Sequence, residues 1–331
     1  MKYYMKKCGF QELGSVGGDG KVNRGRYLLT SMNQEVLSLF PPLSIAQKND
    51  SALLAIIPLY SGEKVYCNYI YHNDKYHGST ALNPRNEYRI YLNKSLENNQ
   101  LLFIAGDILV FRRDEVNGEE GEKQTVYYLD LVKDKDSMLY KNCNDLIDKS
   151  EINGGYALYE GIISEYEEKV EHLKYQGQTK IAIDPTVTDK VLQDNVSETA
   201  VAGLFNASTF RDFVMVGYED LCAVTGTVIK YNTYTNLEAA HIMPKSHGGL
   251  FLPNNGLALT RDFHWAFDKG FFTIDDDMRV IVHEKVESEY LKSFYKKEIY
   301  IPQNKFFAPD INNLHYHRDN VFGLFLNTGR L

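Results

Sequence analysis

Between Asn255 and Gly270 the chain runs NGLALTRDFHWAFDKG, with Leu259, Phe263 and Phe267 recurring every four residues. Apolar residues at that interval line one side of a helix, and Gly270 stands where a helix stops, because glycine takes a left-handed C-terminal conformation without steric penalty. The spacing predicts a helix over this stretch, with Asn255 at its entry. Residues four apart share a helix face, so His264 and Asp268 can offer an imidazole nitrogen and a carboxylate oxygen to one divalent cation. Two protein ligands leave coordination positions open, which suits catalysis better than a structural role.

Upstream, LEAAHIMP reads as a short strand carrying His241, whose neutral imidazole can take a proton from water at ordinary intracellular pH. The amide of Asn255 can either fix the backbone between the two elements or orient that histidine. Taken singly, each of these residues is more often a packed or solvated side chain than a functional one. Their order, with Gly and Asn punctuation between them, carries the signal. His247 in KSHGG reads as a solvated loop residue, while Arg261 and Lys269 can touch phosphate, though a solvated helix face explains them equally well.

The first half of the chain has a different character. ALLAIIPLY, KVYCNYIY, EYRIYL, GDILVFRR and VYYLDLV are rich in β-branched and aromatic residues and are separated by Gly, Asn and Asp, the pattern of a barrel or sandwich of short strands. A total of 331 residues accommodates two cores. An acidic helical segment and a polar, weakly patterned stretch then mark a boundary, giving an expected first domain at 1–165, a linker at 166–200 and a second domain at 201–331. In the second, AGLFNASTFRDFVMVGYEDL reads as a helix and FFTIDDDMRVIV as two strands joined at an Asp-rich turn.

The net charge of −8 argues against a protein that coats nucleic acid indiscriminately, though not against a basic cleft on an acidic body. Cys8, Cys67, Cys143 and Cys222 are scattered without a CxxC pair, so reduced thiols are expected. No signal-peptide or membrane-spanning run is present, which points to a cytoplasmic protein with no membrane partner.

From Tyr218 to Val282 the ordered pattern EAAHI…P…GG…NGL…H…FD…G resembles the ββα-metal, or HNH, nucleases. The resemblance implies that His241 is the general base for attack of water on phosphorus, that Asn255 braces the motif, and that His264 and Asp268 bind the metal. It implies Mg²⁺, with Mn²⁺ or another divalent ion as alternatives, and products with 5′-phosphate and 3′-hydroxyl ends. Two departures stand out: Ala240 occupies a position where many members place an Asp or His ligand, and Cys222 in LCAVTG lacks a CxxC partner, so no structural zinc is expected.

Specific cleavage needs elements that reach base edges. Lys75, Arg85, Asn86, Glu87 and Arg89 lie at a loop-to-strand transition, and Lys21, Asn23, Arg24 and Arg26 lie in a glycine-rich segment, together forming two candidate DNA-binding arms. Arg89 also has a carboxylate neighbour to pair with, and Arg112 and Arg113 read as a strand end on a solvated face. GSTALNPRNEYRIYL followed by LLFIAGDILVFRR is similar to the DNA-binding pseudobarrel of plant transcription factors and EcoRII-type effector domains, over roughly residues 10 to 165. The expected fold is therefore α+β, a mostly-β pseudobarrel followed by an HNH nuclease domain. The resulting reading is a prokaryotic type II restriction endonuclease acting on double-stranded DNA as a homodimer. Its rivals are a modification-dependent nuclease and a DNA-binding regulator whose nuclease domain is inactive.

Overall fold

The computed structural model describes residues 1–9, 15–16, 22–24, 27–91, 103–117, 123–152, 154–176, 181–183, 205–231 and 234–330. The chain divides into two compact units, Met1–Lys190 and Val191–Leu331. The architecture is mixed α+β, with a curled sheet in the first unit and short hairpins interleaved with helices in the second. Among the described residues no helix is long and apolar enough to cross a membrane.

The first unit contains β1 (Lys2–Lys7), β2 (Ser15–Val16), β3 (Val22–Arg24), β4 (Tyr27–Leu29), β5 (Ser51–Pro58), β6 (Lys64–His72), β7 (Glu87–Tyr91), β8 (Ile108–Asn117), β9 (Lys123–Val132), β10 (Tyr156–Glu160) and β11 (Ile181–Ala182). Eight of them run in the order β10-β1-β8-β9-β5-β6-β7-β4, β11 adds to β6, and β2 pairs separately with β3. The pairings are antiparallel except β5 with β9 and β11 with β6. The five strands expected from the aromatic and β-branched runs are β5 to β9.

The core face gathers Tyr4, Leu54, Ile56, Tyr69, Ile90, Phe111 and Leu129. Phe40, just beyond the short helix α1 (Gln34–Leu37), packs on Tyr69 and Tyr127 with ring centroids 5.2 and 5.4 Å apart. The sheet curls far enough for its two edges to meet: Tyr156 of β10 donates its hydroxyl to the Leu29 carbonyl of β4 at 3.0 Å. Tyr156 also stacks on Tyr4, so the contact grows out of the core.

Two longer helices cover the sheet, α2 (Met138–Asp148) and α3 (Ser164–Gln176). The latter lies where the linker was expected to begin, and it belongs to the first unit. Tyr166 is buried, donates to the Tyr128 carbonyl at 2.6 Å and meets Tyr3 edge to face. Arg112 is not on a solvated face: it is 3% exposed and bonds both Glu167 of α3 and Asp114. A guanidinium can be buried in this way because paired carboxylates replace its lost hydration. Arg113, by contrast, is partly exposed beside Glu115.

Among the described residues the second unit begins with α4 (Ala207–Gly217), started by a capping box in which Asn206 and Thr209 satisfy each other's backbone N–H groups. The small hairpin β12 (Lys230–Tyr231) and β13 (Tyr234–Thr235) leads into β14 (Leu237–His241), which pairs antiparallel with β15 (Gly256–Thr260). Next come α5 (Arg261–Asp268), the β16 (Phe272–Ile274) and β17 (Val280–Val282) hairpin, α6 (Glu289–Lys292) and α7 (Ile311–Asn320). Gly270 does end the helix, at φ 65°, where an added Cβ would lie 2.2 Å from the Val321 carbonyl oxygen.

The helix expected from Asn255 onward begins only at Arg261. Gly256–Thr260 is a strand, and Asn255 stands at the entry to that strand. All five strand residues are buried, and a fully buried strand reads as a continuous apolar run that spacing alone does not separate from helix. Leu259 falls four residues before Phe263 by coincidence, while Phe263 and Phe267 do form the buried side of α5.

Replacing Tyr156 by Phe removes the hydroxyl that joins the sheet edges. We expect a loss of about 1 kcal/mol, the net worth of one such hydrogen bond, read as a lower urea midpoint at unchanged secondary-structure content.

Candidate active site

β14, β15 and α5 form a ββα unit, and the Leu237–Thr260 to His241–Gly256 register places His241 at the far end of the hairpin. Alternation along a strand sends Glu238 and Ala240 to one face and His241 to the other. On the second face the His241 ring stacks on Phe210 of α4, centroids 4.1 Å apart, and meets Phe251 edge to face at 5.4 Å. Gly256, directly across from His241, makes that approach possible, because a Cβ there would lie 2.4 Å from Val214 and 2.9 Å from the Phe210 ring.

Burial is the main cause of a pKa for His241 of about 4, with nearby His264 and Lys245 adding to the depression. The ring is therefore neutral at ordinary pH. Its Nε2 is buried and has no hydrogen-bond partner among the described residues. Buried polar atoms are nearly always paired, so this nitrogen keeps hydrogen-bonding capacity that the described residues do not use.

Asn255 is 2% exposed. Its Oδ1 accepts from Met243 N at 2.9 Å, and its Nδ2 donates to the carbonyls of Met243 at 3.1 Å and Leu250 at 3.0 Å. Of the two roles open to it, the amide takes the first: it fixes the backbone of the β14–β15 connection. That connection is tight enough that a Cβ on Gly249 would lie 1.9 Å from the Met243 carbonyl oxygen.

His264 and Asp268 face each other on α5, His264 Nε2 lying 3.3 Å from Asp268 Oδ2. Two ligands take such a separation when each sits about 2.0–2.2 Å from one cation. The pair thus fits a divalent ion, with its remaining coordination left to water and phosphate. Among the described residues no group of three or more His, Cys, Asp or Glu side chains is arranged to hold a metal.

Sequence reasoning missed Glu238. Its Oε2 accepts from His264 Nδ1 at 2.7 Å and its Oε1 pairs with Arg261 Nε at 3.1 Å. Two periods in the sequence point to it: Glu238 shares a strand face with Ala240, and Arg261, His264 and Asp268 share a helix face at intervals of three and four. His247 lies in an exposed turn beside Tyr316, and Lys269 sits over the Phe325 ring.

Among the candidate DNA-reading residues of the first unit, Glu87 and Arg89 pair with each other, and Arg85 and Asn86 are held by other neighbours. Arg85 pairs with Asp74 at 2.5 Å and holds that carboxyl below its usual range. Tyr71 donates to Asn86 at 2.7 Å. Arg89 pairs with Glu87 and lies 3.9 Å over the Tyr27 ring. Lys75 is exposed in the turn Asp74–Tyr76. Lys21 and Arg26 lie outside the described residues, and Asn23 and Arg24 belong to β3, of which only the backbone is described.

A family model described as HNH endonuclease matches residues 222–275, the stretch that runs through β14, β15, α5 and β16. The second unit carries an HNH endonuclease domain. Among solved structures, the chain is similar to one described as "Modification dependent TagI restriction endonuclease", at 18% identity and a TM-score of 0.28, over 74% of this chain and 58% of that one. No curated protein matches. Within the HNH domain Cys222 is buried and free of any disulfide, and its sulfur accepts from Thr225 N at 3.5 Å.

A second histidine has its pKa lowered to about 4 by burial: His317 of α7, stacked on Phe267 at 3.8 Å, receives the Thr273 hydroxyl on Nδ1 and donates from Nε2 to the Phe267 carbonyl. Both rings bind a proton less readily in the fold than in the unfolded chain, where the value is 6.5. Protons are thus taken up on unfolding, and stability falls as pH drops from about 6.5 towards 4, with no contribution above that window. Unfolding midpoints measured across this range should show the decline, and His317→Gln should make it shallower.

Proposed function

We propose that the chain is a metal-dependent, site-specific endonuclease of double-stranded DNA, of restriction type, that leaves 5′-phosphate and 3′-hydroxyl ends. The observation that carries this reading is the neutral His241, with a buried unpartnered nitrogen, in the same ββα unit as the His264–Asp268 pair and within the stretch that matches the HNH endonuclease family. His241 takes a proton from the attacking water as the new bond to phosphorus forms. Its low proton affinity keeps it ready as a base, and an anionic phosphate arriving nearby raises that affinity by stabilising the imidazolium.

Asn255 contributes by holding the chain that follows His241, since position matters as much as basicity in a proton transfer. His264 and Asp268 would hold Mg²⁺, and Mn²⁺ or another divalent ion fits the same donors. Such a cation, when bound, supplies stabilisation of the charge that builds on the phosphate and on the leaving 3′ oxygen.

Sequence choice falls to the first unit, as a DNA-recognition domain. Lys75 and Arg85 stand at the exposed turn before β7, followed by Asn86, Glu87 and Arg89, a mixture of donors and acceptors suited to base edges. The Asp74–Arg85 and Glu87–Arg89 pairs would hold these guanidinium groups ready, and contact with DNA would exchange partners. The segment of Lys21, Asn23, Arg24 and Arg26 would form the other arm. Cutting both strands of a palindromic site calls for a homodimer.

Digestion of unmodified and methylated plasmid with Mg²⁺ tests the reading. Discrete fragments from unmodified DNA are expected, and His241→Ala should lower cleavage about 10²- to 10⁴-fold while specific binding persists. Cutting confined to modified DNA would replace this reading with a modification-dependent nuclease. Tight binding without cleavage in any divalent metal would establish an inactive HNH domain.

A further inference from the structure

We propose that Glu238 is a positioning residue for the metal site: it fixes the tautomer and the orientation of His264. The inference rests on reading His264 and Asp268 as the metal pair, and it gives a role to Glu238, the first residue of EAAHI, which the expected ligand set does not contain.

Both carboxylate oxygens of Glu238 are already committed. Oε2 accepts from His264 Nδ1 at 2.7 Å and Oε1 receives Arg261 Nε at 3.1 Å, so Glu238 is held from two sides. A carboxylate oxygen only accepts, hence Nδ1 carries the hydrogen of that bond. In the neutral ring the other nitrogen is then an acceptor, and Nε2 is the nitrogen that faces Asp268 at 3.3 Å. A lone pair is thereby directed to the point that the Asp268 carboxylate also addresses. The opposite tautomer would put an N–H there and no ligand.

Backbone contacts hold the strand and the helix that carry this arrangement. Glu238 sits within β14, paired opposite Leu259, and Arg261 N donates to the Asn236 carbonyl at 3.0 Å, which fixes the start of α5 against the start of β14. Arg261, Glu238, His264 and Asp268 therefore form a chain of alternating cationic, anionic, imidazole and anionic groups across one strand and one helix. Glu238 also lies on the same strand face as Ala240, where a ligand is expected and a methyl group stands. The carboxylate of that face reaches the site one step removed, through His264.

Two readouts on the full chain test the assignment. In metal-free protein, at a pH where the ring is neutral, ¹⁵N shifts of His264 should show the Nδ1–H tautomer in the wild type and a shift towards Nε2–H in Glu238→Ala. Direct Mn²⁺ titration should show affinity reduced about 10- to 100-fold in Glu238→Ala, as for other partners that orient a ligating histidine. Glu238→Gln retains an acceptor for Nδ1 and should keep most of the affinity and the wild-type tautomer. An unchanged tautomer in Glu238→Ala, or a loss in Glu238→Gln as large as in Glu238→Ala, overturns the proposal, the latter by making Glu238 a ligand itself. If His264→Ala and Asp268→Ala bind Mn²⁺ as the wild type does, the metal reading fails on its own, and the tautomer measurement still decides what Glu238 does.

Discussion

The second unit's site depends on one buried amide. Asn255 joins the backbone of Met243 on both its N–H and its carbonyl and adds the Leu250 carbonyl, while its own carbonyl accepts from Ile242 N. These bonds close the connection between β14 and β15 on the residue that follows His241. A hydrophobic side chain of similar size would remove all three of these side-chain hydrogen bonds to the backbone. The asparagine amide offers two donors and an acceptor on a short stem, and the Met243 carbonyl that it holds lies where a side chain on Gly249 would otherwise stand.

Once the loop is fixed, the two faces of the hairpin take separate tasks. The face towards α4 buries the His241 ring between Phe210 and Phe251, and an apolar surround of this kind keeps the ring uncharged. The face towards α5 brings Glu238 to His264 and Arg261, a polar surround with a carboxylate on each side of the imidazole. A base needs the first environment and a ligand the second. The strand's period of two supplies both within four residues.

Much of this was legible in the sequence, and the parts that were not share a cause. The runs that became β5 to β9 announced themselves through aromatic and β-branched residues bounded by turn formers, and the i, i+4 relation of His264 and Asp268 followed from helical geometry once the helix was recognised. Gly256–Thr260 reads as helix in the sequence and is a strand, because an apolar run buried on both faces has no period to read. Glu238, Arg112 and the pairs Asp74–Arg85 and Glu87–Arg89 were hidden for a different reason: a charge in a sequence has no visible partner, and the partner decides its role. Arg112 shows the difference most sharply, since its nearest carboxylates are Asp114, two residues away, and Glu167, on a helix that appeared in sequence to begin a linker.

Three of the second unit's histidines, His241, His264 and His317, carry this point into chemistry. His241 and His317 have the same depressed pKa from the same cause, and both stack on a phenylalanine. Yet His317 is satisfied at both nitrogens by Thr273 and the Phe267 carbonyl, so its ring is a closed part of the core. His241 keeps a buried nitrogen with no partner among the described residues, and His264 has a carboxylate at each nitrogen. Desolvation by itself therefore does not separate a structural imidazole from a reactive one. The inventory of hydrogen-bond partners does, because a nitrogen already bonded within the fold has nothing left to offer water, phosphate or metal, and one that is unpaired or faces a second ligand has.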